Sequence, residues 1–301
     1  MALKRHPHNI DSVAFWNNVI DEYTGGNYRL VERYPNEDVD YDDGTPDDVF
    51  LKISMIFSCD ALMKARDCLK FEESCMVKKD AIREKILSLG ADICGFGGME
   101  RFTEAPINFR PIDLYPDCKS VIAVGIALPK GLLRVEPRLL YGHFNADVVH
   151  KVDEIVFSAA KIIEKEYDGI CVPIPSDGPY EYWETETMTG KGLLSMKHVA
   201  VACGIGQIGK SSLLLNPEYG NRLTLGAILT NVDFESDPVC KNICIPGCTK
   251  CLDSCPVLAI QDKSVTQKKC RQNTYGNTAR GFDTVDCNKC RRECPMRDGL
   301  F

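Results

Sequence analysis

The sequence has no long apolar segment. No run approaches the roughly 18 to 20 uninterrupted apolar residues that a helix needs to cross a bilayer. The first residues, MALKRHPHNIDSVAFW, also lack the apolar core of a signal peptide. Internal repeats of solenoid length are missing as well, which disfavours a repeat-built fold. We therefore expect a cytoplasmic protein without membrane contact, and the 301 residues, 44% of them hydrophobic, are enough for one sizeable domain and a smaller one.

The chain has sixteen cysteines, and we find no export signal in the sequence. They are not expected to form disulfides, because a reducing cytosol keeps thiols available for metals or catalysis. Nine of them lie between Cys240 and Cys294, and residues 241–301 carry eleven Lys and Arg against six Asp and Glu. A basic segment can indicate nucleic acid binding. Metal-bound thiolates would offset much of this charge, which favours a metal-binding segment.

The hydrophobic pattern divides the chain into three parts. Residues 1–78 form an N-terminal extension of unknown role, with an acidic stretch, PNEDVDYDDGTPDD, that is typical of an exposed linker. Residues 79–235 alternate helical patterns with apolar strands such as SVIAVGIAL, which predicts an α+β fold with α/β-like layers. Asp80 and Asn145 are candidate N-caps of two of its helices. Residues 236–301 form a separate cysteine-rich domain.

Two cysteine runs, CIPGCTKCLDSCP and CNKCRRECP, carry the strongest chemical signal. Closely spaced cysteines on a tight loop can ligate one iron–sulfur cube, while the last cysteine, before proline, ligates a neighbouring cluster. Two such runs predict two 4Fe-4S clusters. We call their ligands the first cysteine set, which is Cys244, Cys248, Cys251 and Cys294, and the second cysteine set, which is Cys255, Cys270, Cys287 and Cys290.

Two alternatives stay open for these cysteines. Three residues separate Cys244 from Cys248, whereas the bacterial ferredoxin run has two, so Cys240 competes for the first position. Pairs of the C-x-x-C type also occur in zinc ribbons. The two pairs in this chain are much farther apart in sequence than in a usual ribbon, and both runs continue to Cys-Pro, which favours iron–sulfur.

The stretch GIGQIGKS, residues 204–211, matches both a dinucleotide-binding and a P-loop pattern. Both motifs require a preceding strand, whereas Lys191, Ser195 and His198 predict the polar face of a helix before it. Too few residues follow Ser211 to build a P-loop domain. Gly204 therefore fits a helix C-terminus. Gly206 and Gly209 would let the backbone pass close to a large ligand or to a neighbouring element.

Residues Lys79 to Pro295 resemble the iron–sulfur family that contains epoxyqueuosine reductase and, more distantly, the corrinoid-dependent reductive dehalogenases. Residues 1–78 are not covered by this resemblance. Besides the two cysteine runs with Cys270 between them, the matching pieces are ILSLGADICGFG, YPDCKSVIAVGIALP, SDGP and GIGQIGKSSLLLNPEYGNRLTLGAILTN.

The resemblance implies a nitroreductase-like domain over 79–235 that binds cobalamin, and a ferredoxin-like two-cluster domain over 236–301. It further implies an external electron donor of the ferredoxin or flavodoxin type and reduction of a small organic substrate; tRNA is the less favoured substrate. Flavin is the alternative cofactor, since a nitroreductase-like fold can hold it. No Asp-x-His-x-x-Gly element is present to supply a cobalt ligand. The implied cofactor-binding residues are Gly204, Gly206, Gly209, Lys210 and Ser211.

Three residues are candidate proton donors by the same resemblance. Asp147 corresponds to the acid of an Asp-Tyr-His stretch, although it stands three residues before His150 instead of two. A charge in the first helical turn would explain it equally well. Tyr180 and Tyr182 belong to an aromatic insertion that would line a flat pocket or simply pack. The competing hypothesis is an electron-transfer or activator protein that serves a partner enzyme and has no substrate of its own.

Overall fold

The computed structural model describes residues 79–178 and 180–300, together with the backbone of two short upstream strands. The chain divides into two compact units, Met1–Cys75 and Met76–Phe301. In the first unit, strand β1 (Glu32–Pro35) pairs antiparallel with β2 (Val49–Lys52). Most of the predicted acidic linker lies outside the described residues. The predicted boundary at residue 235 falls inside the second unit and stays a prediction.

The second unit contains the remaining helices and strands, which are numbered in chain order. Its helices are α1 (79–88 as described), α2 (Pro111–Leu114), α3 (Arg138–Tyr167), α4 (Met196–Ala202), α5 (Lys250–Asp253), α6 (Gln267–Thr274) and α7 (Lys289–Arg292). Its strands are β3 (Ile93–Gly98), β4 (Ser120–Ala127), β5 (Cys171–Ile174), β6 (Tyr182–Glu184), β7 (Thr189–Lys191), β8 (Gln207–Ile208), β9 (Leu214–Leu215), β10 (Leu223–Thr230), β11 (Ile260–Gln261), β12 (Ser264–Val265), β13 (Tyr275–Asn277) and β14 (Asp283–Val285).

A four-stranded antiparallel sheet in the order β3-β4-β10-β5 forms the centre of this unit. Strands β4 and β10 pair along their whole length, from Ser120 opposite Thr230 to Ala127 opposite Leu223. Side chains alternate between the faces, so Ile122 packs in a core with α1 and α3, while Val121 packs in a second core with α4. The predicted α+β class and the doubly buried strand are confirmed.

Three predicted helix details are wrong. Asp80 lies inside α1 and does not cap it. Helix α3 begins at Arg138, after Pro137, so Asn145 is an interior residue; the fixed φ of proline suits the start of a helix better than an asparagine further on. Lys191 lies in β7, because that segment pairs with β6, and α4 begins only at Met196.

The segment that enters the cysteine-rich region is tied to the sheet by Asp237. Both carboxylate oxygens of Asp237 accept hydrogen bonds from Arg83, each at 2.9 Å, and Oδ2 also accepts from the backbone N–H of Phe96 at 3.0 Å. The backbone N–H of Asp237 donates to the Phe96 carbonyl at 2.8 Å. Nearby, Phe234 packs edge-to-face on Phe96, with ring centroids 5.3 Å apart. The cysteine-rich segment therefore starts from a fixed position at the edge strand β3.

The described helices include α3, which is 30 residues long. None of them combines the length and the apolar character that a membrane crossing requires.

Gly95 and Gly131 make a matched test of the packing between the sheet and α4. A Cβ at Gly95 would lie 2.1 Å from the Cys203 carbonyl oxygen, whereas a Cβ at Gly131 would meet nothing within 4 Å. We expect Gly95→Ala to lower the free energy of unfolding by about 1–3 kcal/mol, because backbone must move to admit the methyl group. Urea unfolding would measure this loss. Gly131→Ala should match the wild type, and equal stability of the two variants would contradict the packing.

Candidate functional site

One cavity brings the first cysteine set together. Three of its four cysteines lie in the short segment that leads into and through α5, and Cys294 lies in the turn after α7. The cavity is lined by Cys244, Cys248, Cys251, Cys294, Ile245, Pro295, Met296, Leu215, Lys210 and Ser211. Thiols from the two ends of the cysteine-rich segment thus face one space that is otherwise mostly apolar.

Two local hydrogen bonds shape the loop that carries Cys244 and Cys248. The backbone N–H of Cys244 donates to the Asn242 side-chain oxygen at 2.9 Å, and that of Cys248 donates to the Ile245 carbonyl at 3.2 Å. Gly247 takes a left-handed conformation with φ of +75°, which favours glycine. The loop therefore turns back on itself within five residues and directs Cys244 and Cys248 to the same side.

Electrostatic coupling separates the thiols into the two predicted sets. Burial raises the pKa of the Cys290 thiol to about 11. The other thiols that raise it are Cys270, Cys287 and Cys255, all of the second cysteine set. Burial likewise raises the pKa of Cys294, and the thiols that add to this are Cys251, Cys244 and Cys248. Such thiols lose their protons readily only when a metal compensates the negative charge.

Cys240 occupies a different environment. Its carbonyl accepts a hydrogen bond from the Gln207 side chain at 3.1 Å, and burial alone raises the pKa of its thiol. Cys244, by contrast, lines the cavity with the rest of its set. The geometry favours Cys244 over Cys240 as the first ligand. The ligand assignment stays a prediction.

The thiols of the described residues do not form a ready site for a single metal ion. In residues 79–178 and 180–300, no three His, Cys, Asp or Glu side chains converge on the position of a single metal ion. A structural zinc site requires four ligand atoms about 2.0–2.3 Å from the metal. The first cysteine set surrounds a cavity instead, an arrangement suited to a cluster of several atoms.

The glycines of GIGQIGKS allow close packing of neighbouring backbone. Gly204 follows α4 with φ of +74°, and a Cβ there would lie 2.5 Å from the Pro238 carbonyl oxygen. A Cβ at Gly206 would lie 2.5 Å from the Leu215 carbonyl oxygen. Gly204 at the helix end is as predicted. Of the two roles expected of the glycines, the one visible in the structure is contact with a neighbouring element.

Lys210 and Ser211 end this stretch at the cysteine cavity. The Lys210 ammonium donates to the Cys248 carbonyl at 3.1 Å, and Lys210 and the buried Ser211 both line the cavity. The next residue, Ser212, faces a different space.

That space is a polar pocket of about 280 Å³, lined by Lys197, His198, Val201, Gln207, Ile208, Ser212, Asn242 and Lys263. The Lys197 ammonium donates to the Ser212 hydroxyl at 3.0 Å. Burial lowers the pKa of Lys197 and, together with the nearby Lys197 charge, that of His198. The pocket therefore offers cationic and amide donors one residue away from the cysteine cavity.

Asp147 lies on the surface of α3. Its carboxylate pairs with the Lys151 ammonium one turn later, at 2.8 Å, and this contact lowers the pKa of Asp147. A carboxylic acid that donates protons near neutral pH needs a raised pKa instead. The described contacts are those of a surface charge. The expected place of that charge in a first helical turn is wrong, because α3 begins at Arg138 and Asp147 lies in its interior. The catalytic role of Asp147 stays a prediction.

Tyr180 and Tyr182 lie at a hairpin formed by β6 and β7, which we call the aromatic hairpin (residues 180–191). The rings of Tyr180 and Trp183 stack with centroids 6.1 Å apart, and the Arg271 guanidinium lies 5.1 and 5.2 Å from their centroids. The Tyr182 ring contacts Phe109 at 5.5 Å. Both tyrosines keep more than a third of their surface exposed.

The aromatic hairpin is attached to the helix that carries Cys270. The Gln267 side chain accepts from the Gly190 N–H at 2.9 Å and donates to the Gly190 carbonyl at 3.1 Å. Sequence reasoning missed Gln267 and Arg271. The signal that could have indicated this contact is an arginine next to a predicted ligand in a chain with an aromatic insertion.

No protein-family profile matches the chain. It is similar to curated epoxyqueuosine reductases: 31% identical over 225 residues to that of Bacillus cereus, and 26% over 260 residues to that of Bacillus subtilis. These matches cover 66% and 73% of this chain, and 54% and 64% of the relatives. The chain therefore spans only about half to two thirds of the relatives' length.

Solved structures show the same likeness in the fold. A crystal structure of epoxyqueuosine reductase with an epoxyqueuosine-modified tRNA-Tyr stem loop aligns with a TM-score of 0.54 at 21% identity, over 75% of this chain and 67% of that one. A catabolic reductive dehalogenase in complex with 3-bromo-4-hydroxybenzoic acid aligns with a TM-score of 0.55 at 16% identity, over 73% and 32%. The resemblance that the motifs indicated is confirmed.

Whether Cys244 or Cys240 is the first ligand can be tested directly. We expect Cys294→Ser and Cys244→Ser each to lower the iron of the anaerobically reconstituted protein by about half, because each would remove one thiolate ligand of one of the two predicted clusters. Cys240→Ser should retain the wild-type iron content. Iron and sulfide analysis measures both. Loss of iron in Cys240→Ser, with full loading of Cys244→Ser, would show that the first ligand is Cys240.

Proposed function

We propose that this protein is an iron–sulfur oxidoreductase that passes low-potential electrons through two 4Fe-4S clusters to a bound corrinoid and reduces a small organic substrate. The observation that carries the proposal is the separation of eight cysteines into two groups of four, one around a shared cavity and one coupled through Cys290. The similarity to epoxyqueuosine reductases supports it.

The donor sets fit the clusters. The first cysteine set would hold one cluster and the second cysteine set the other; when bound, such clusters carry single electrons at potentials set by charge, burial and hydrogen bonds. The chain supplies burial through Ile245, Leu215 and Met296, which line the cavity. It also supplies a hydrogen bond to the second set, since the Ala259 N–H donates to the Cys255 sulfur at 3.3 Å.

The polar pocket fits the polar side groups at the edge of a corrinoid better than its large central ring. At about 280 Å³ it lies just below the usual size of pockets for small ligands. Lys197, His198 and Asn242 would bind the phosphate or amide groups of the cofactor there. A corrinoid supplies reductive chemistry at its metal, and a flavin is the alternative cofactor. The corresponding architecture is a nitroreductase-like domain over 79–235 and a ferredoxin-like domain over 236–301.

The substrate and partners follow from the same proposal. An epoxyqueuosine reductase of similar fold was crystallised with a modified tRNA stem loop, so tRNA is one candidate substrate beside a small molecule. The electron donor would be a ferredoxin or flavodoxin type protein. Tyr180 and Tyr182, at the aromatic hairpin, and Asp147 are the proposed proton donors.

A second candidate function is electron transfer to a partner enzyme, without a substrate of the protein's own. The observation that favours it is the ion pair of Asp147 with Lys151, since it lowers the pKa of the residue that would act as the acid.

Cofactor analysis of anaerobically reconstituted protein separates the two functions. With iron, sulfide, cobalamin and flavin supplied together, we expect two clusters per chain and one retained corrinoid, because the cysteine cavity and the polar pocket lie side by side. Iron, sulfide, cobalt and flavin would be counted after gel filtration. Two clusters without corrinoid or flavin would support electron transfer. Turnover of a substrate by the isolated protein would exclude that second function.

A further inference from the structure

Lys210 is the charged residue of GIGQIGKS, and its side chain is directed at the cysteine loop. Its ammonium donates to the carbonyl of Cys248, a member of the first cysteine set, at 3.1 Å. The side chain is partly buried and lines the same cavity as the four thiols. A lysine that resembles a phosphate ligand in the sequence thus contacts the loop of the first cysteine set in the structure.

The backbone around Lys210 is fixed from two sides. The Gly209 N–H donates to the Leu213 carbonyl and the Ser212 N–H donates to the Gly209 carbonyl, both at 2.9 Å, which closes a tight turn. The Lys210 carbonyl accepts from the N–H of Lys263, in the β11–β12 turn, at 2.9 Å. Lys210 therefore joins the turn to the cysteine-rich segment through both its main chain and its side chain.

We propose that Lys210 is a positioning residue for the first cluster: it holds the Cys248 loop and places a positive charge beside the cluster, which raises the cluster's reduction potential. This inference rests on the proposed function. Reduction adds an electron to a site already surrounded by thiolates, so a nearby cation stabilises the reduced state more than the oxidised one. Burial makes the effect larger than that of a surface lysine, whose field water and salt screen.

Three variants test the charge and the contact separately. Lys210→Met removes the ammonium and keeps a side chain of similar length, and Lys210→Arg keeps the positive charge. Lys250→Met is the matched control, since Lys250 stands two residues after Cys248 and is exposed to solvent. The measurement is an EPR-monitored redox titration of reconstituted protein, with iron analysis. The first cluster's signal is identified as the one that Cys294→Ser lacks.

We expect the midpoint potential of the first cluster to become more negative in Lys210→Met, to stay near the wild-type value in Lys210→Arg, and to be unchanged in Lys250→Met. The second cluster should keep its potential in all three. Loss of the first cluster in Lys210→Met, with retention in Lys210→Arg, would also support the proposal, because the loop would then depend on the charged contact.

Several results would overturn it. A wild-type potential and iron content in Lys210→Met, or an equal shift in Lys250→Met, would show that Lys210 has no special effect. Loss of the first cluster in both Lys210 variants would show that the charge is not the feature that matters. If the wild-type protein itself forms no cluster, the proposed function fails, and this is visible before any variant is compared.

Discussion

The carboxylate of Asp237 fixes where the cysteine-rich segment leaves the sheet, and the site depends on that position. Arg83 of α1 and the backbone of Phe96 in β3 hold it. Directly after it, the Pro238 carbonyl lies against Gly204, and the Cys240 carbonyl accepts from Gln207. These contacts place the segment along GIGQIGKS before its first predicted ligand. A neutral Asp237 would leave the partly buried Arg83 guanidinium without its partner, which is costly.

The features that could be predicted from the sequence are local ones. A strand buried on both faces is visible in the uninterrupted apolar run from Ser120, because each residue there faces one core or the other. The two cysteine runs are similarly visible in the sequence, since the ligand spacing of a predicted cluster is imposed by the cluster's own size; the assignment of ligands stays a prediction. Both kinds of information are contained in a few consecutive residues.

The remaining features depend on contacts that are distant in sequence. Helix α3 begins after Pro137 and not after Asn145, because the packing of Tyr141 extends the buried face of the helix about two turns earlier. The direction of the Lys210 side chain depends on a carbonyl 38 residues away. The attachment of the aromatic hairpin to α6 joins residues 77 apart. Periodicity and motif matching contain no information on such pairs.

That last attachment gives the aromatic hairpin a direct connection to the second cysteine set. Arg271 follows Cys270 in α6 and lies against both Tyr180 and Trp183. A ligand that stacks on these exposed rings would therefore lie near Arg271, which directly follows the proposed cluster ligand Cys270 in the chain. A shift of the hairpin would also move Gln267, one turn before Cys270 on the same helix.

The backbone at Ser211 and Ser212 separates the cysteine cavity from the polar pocket. It is the second place where the proposed clusters come close to a proposed substrate or cofactor site. Ser211 lines the cavity, Ser212 lines the pocket, and the two are consecutive. The positive φ of Ser212, at +62°, turns the chain so that neighbouring residues face opposite spaces. Lys197 holds that turn from the pocket side and Lys210 holds the cysteine loop from the other. A group bound in the pocket would thus be separated from the first cysteine set by the backbone at Ser211 and Ser212, which Lys197 contacts on the pocket side and whose neighbour Lys210 contacts the cysteine loop.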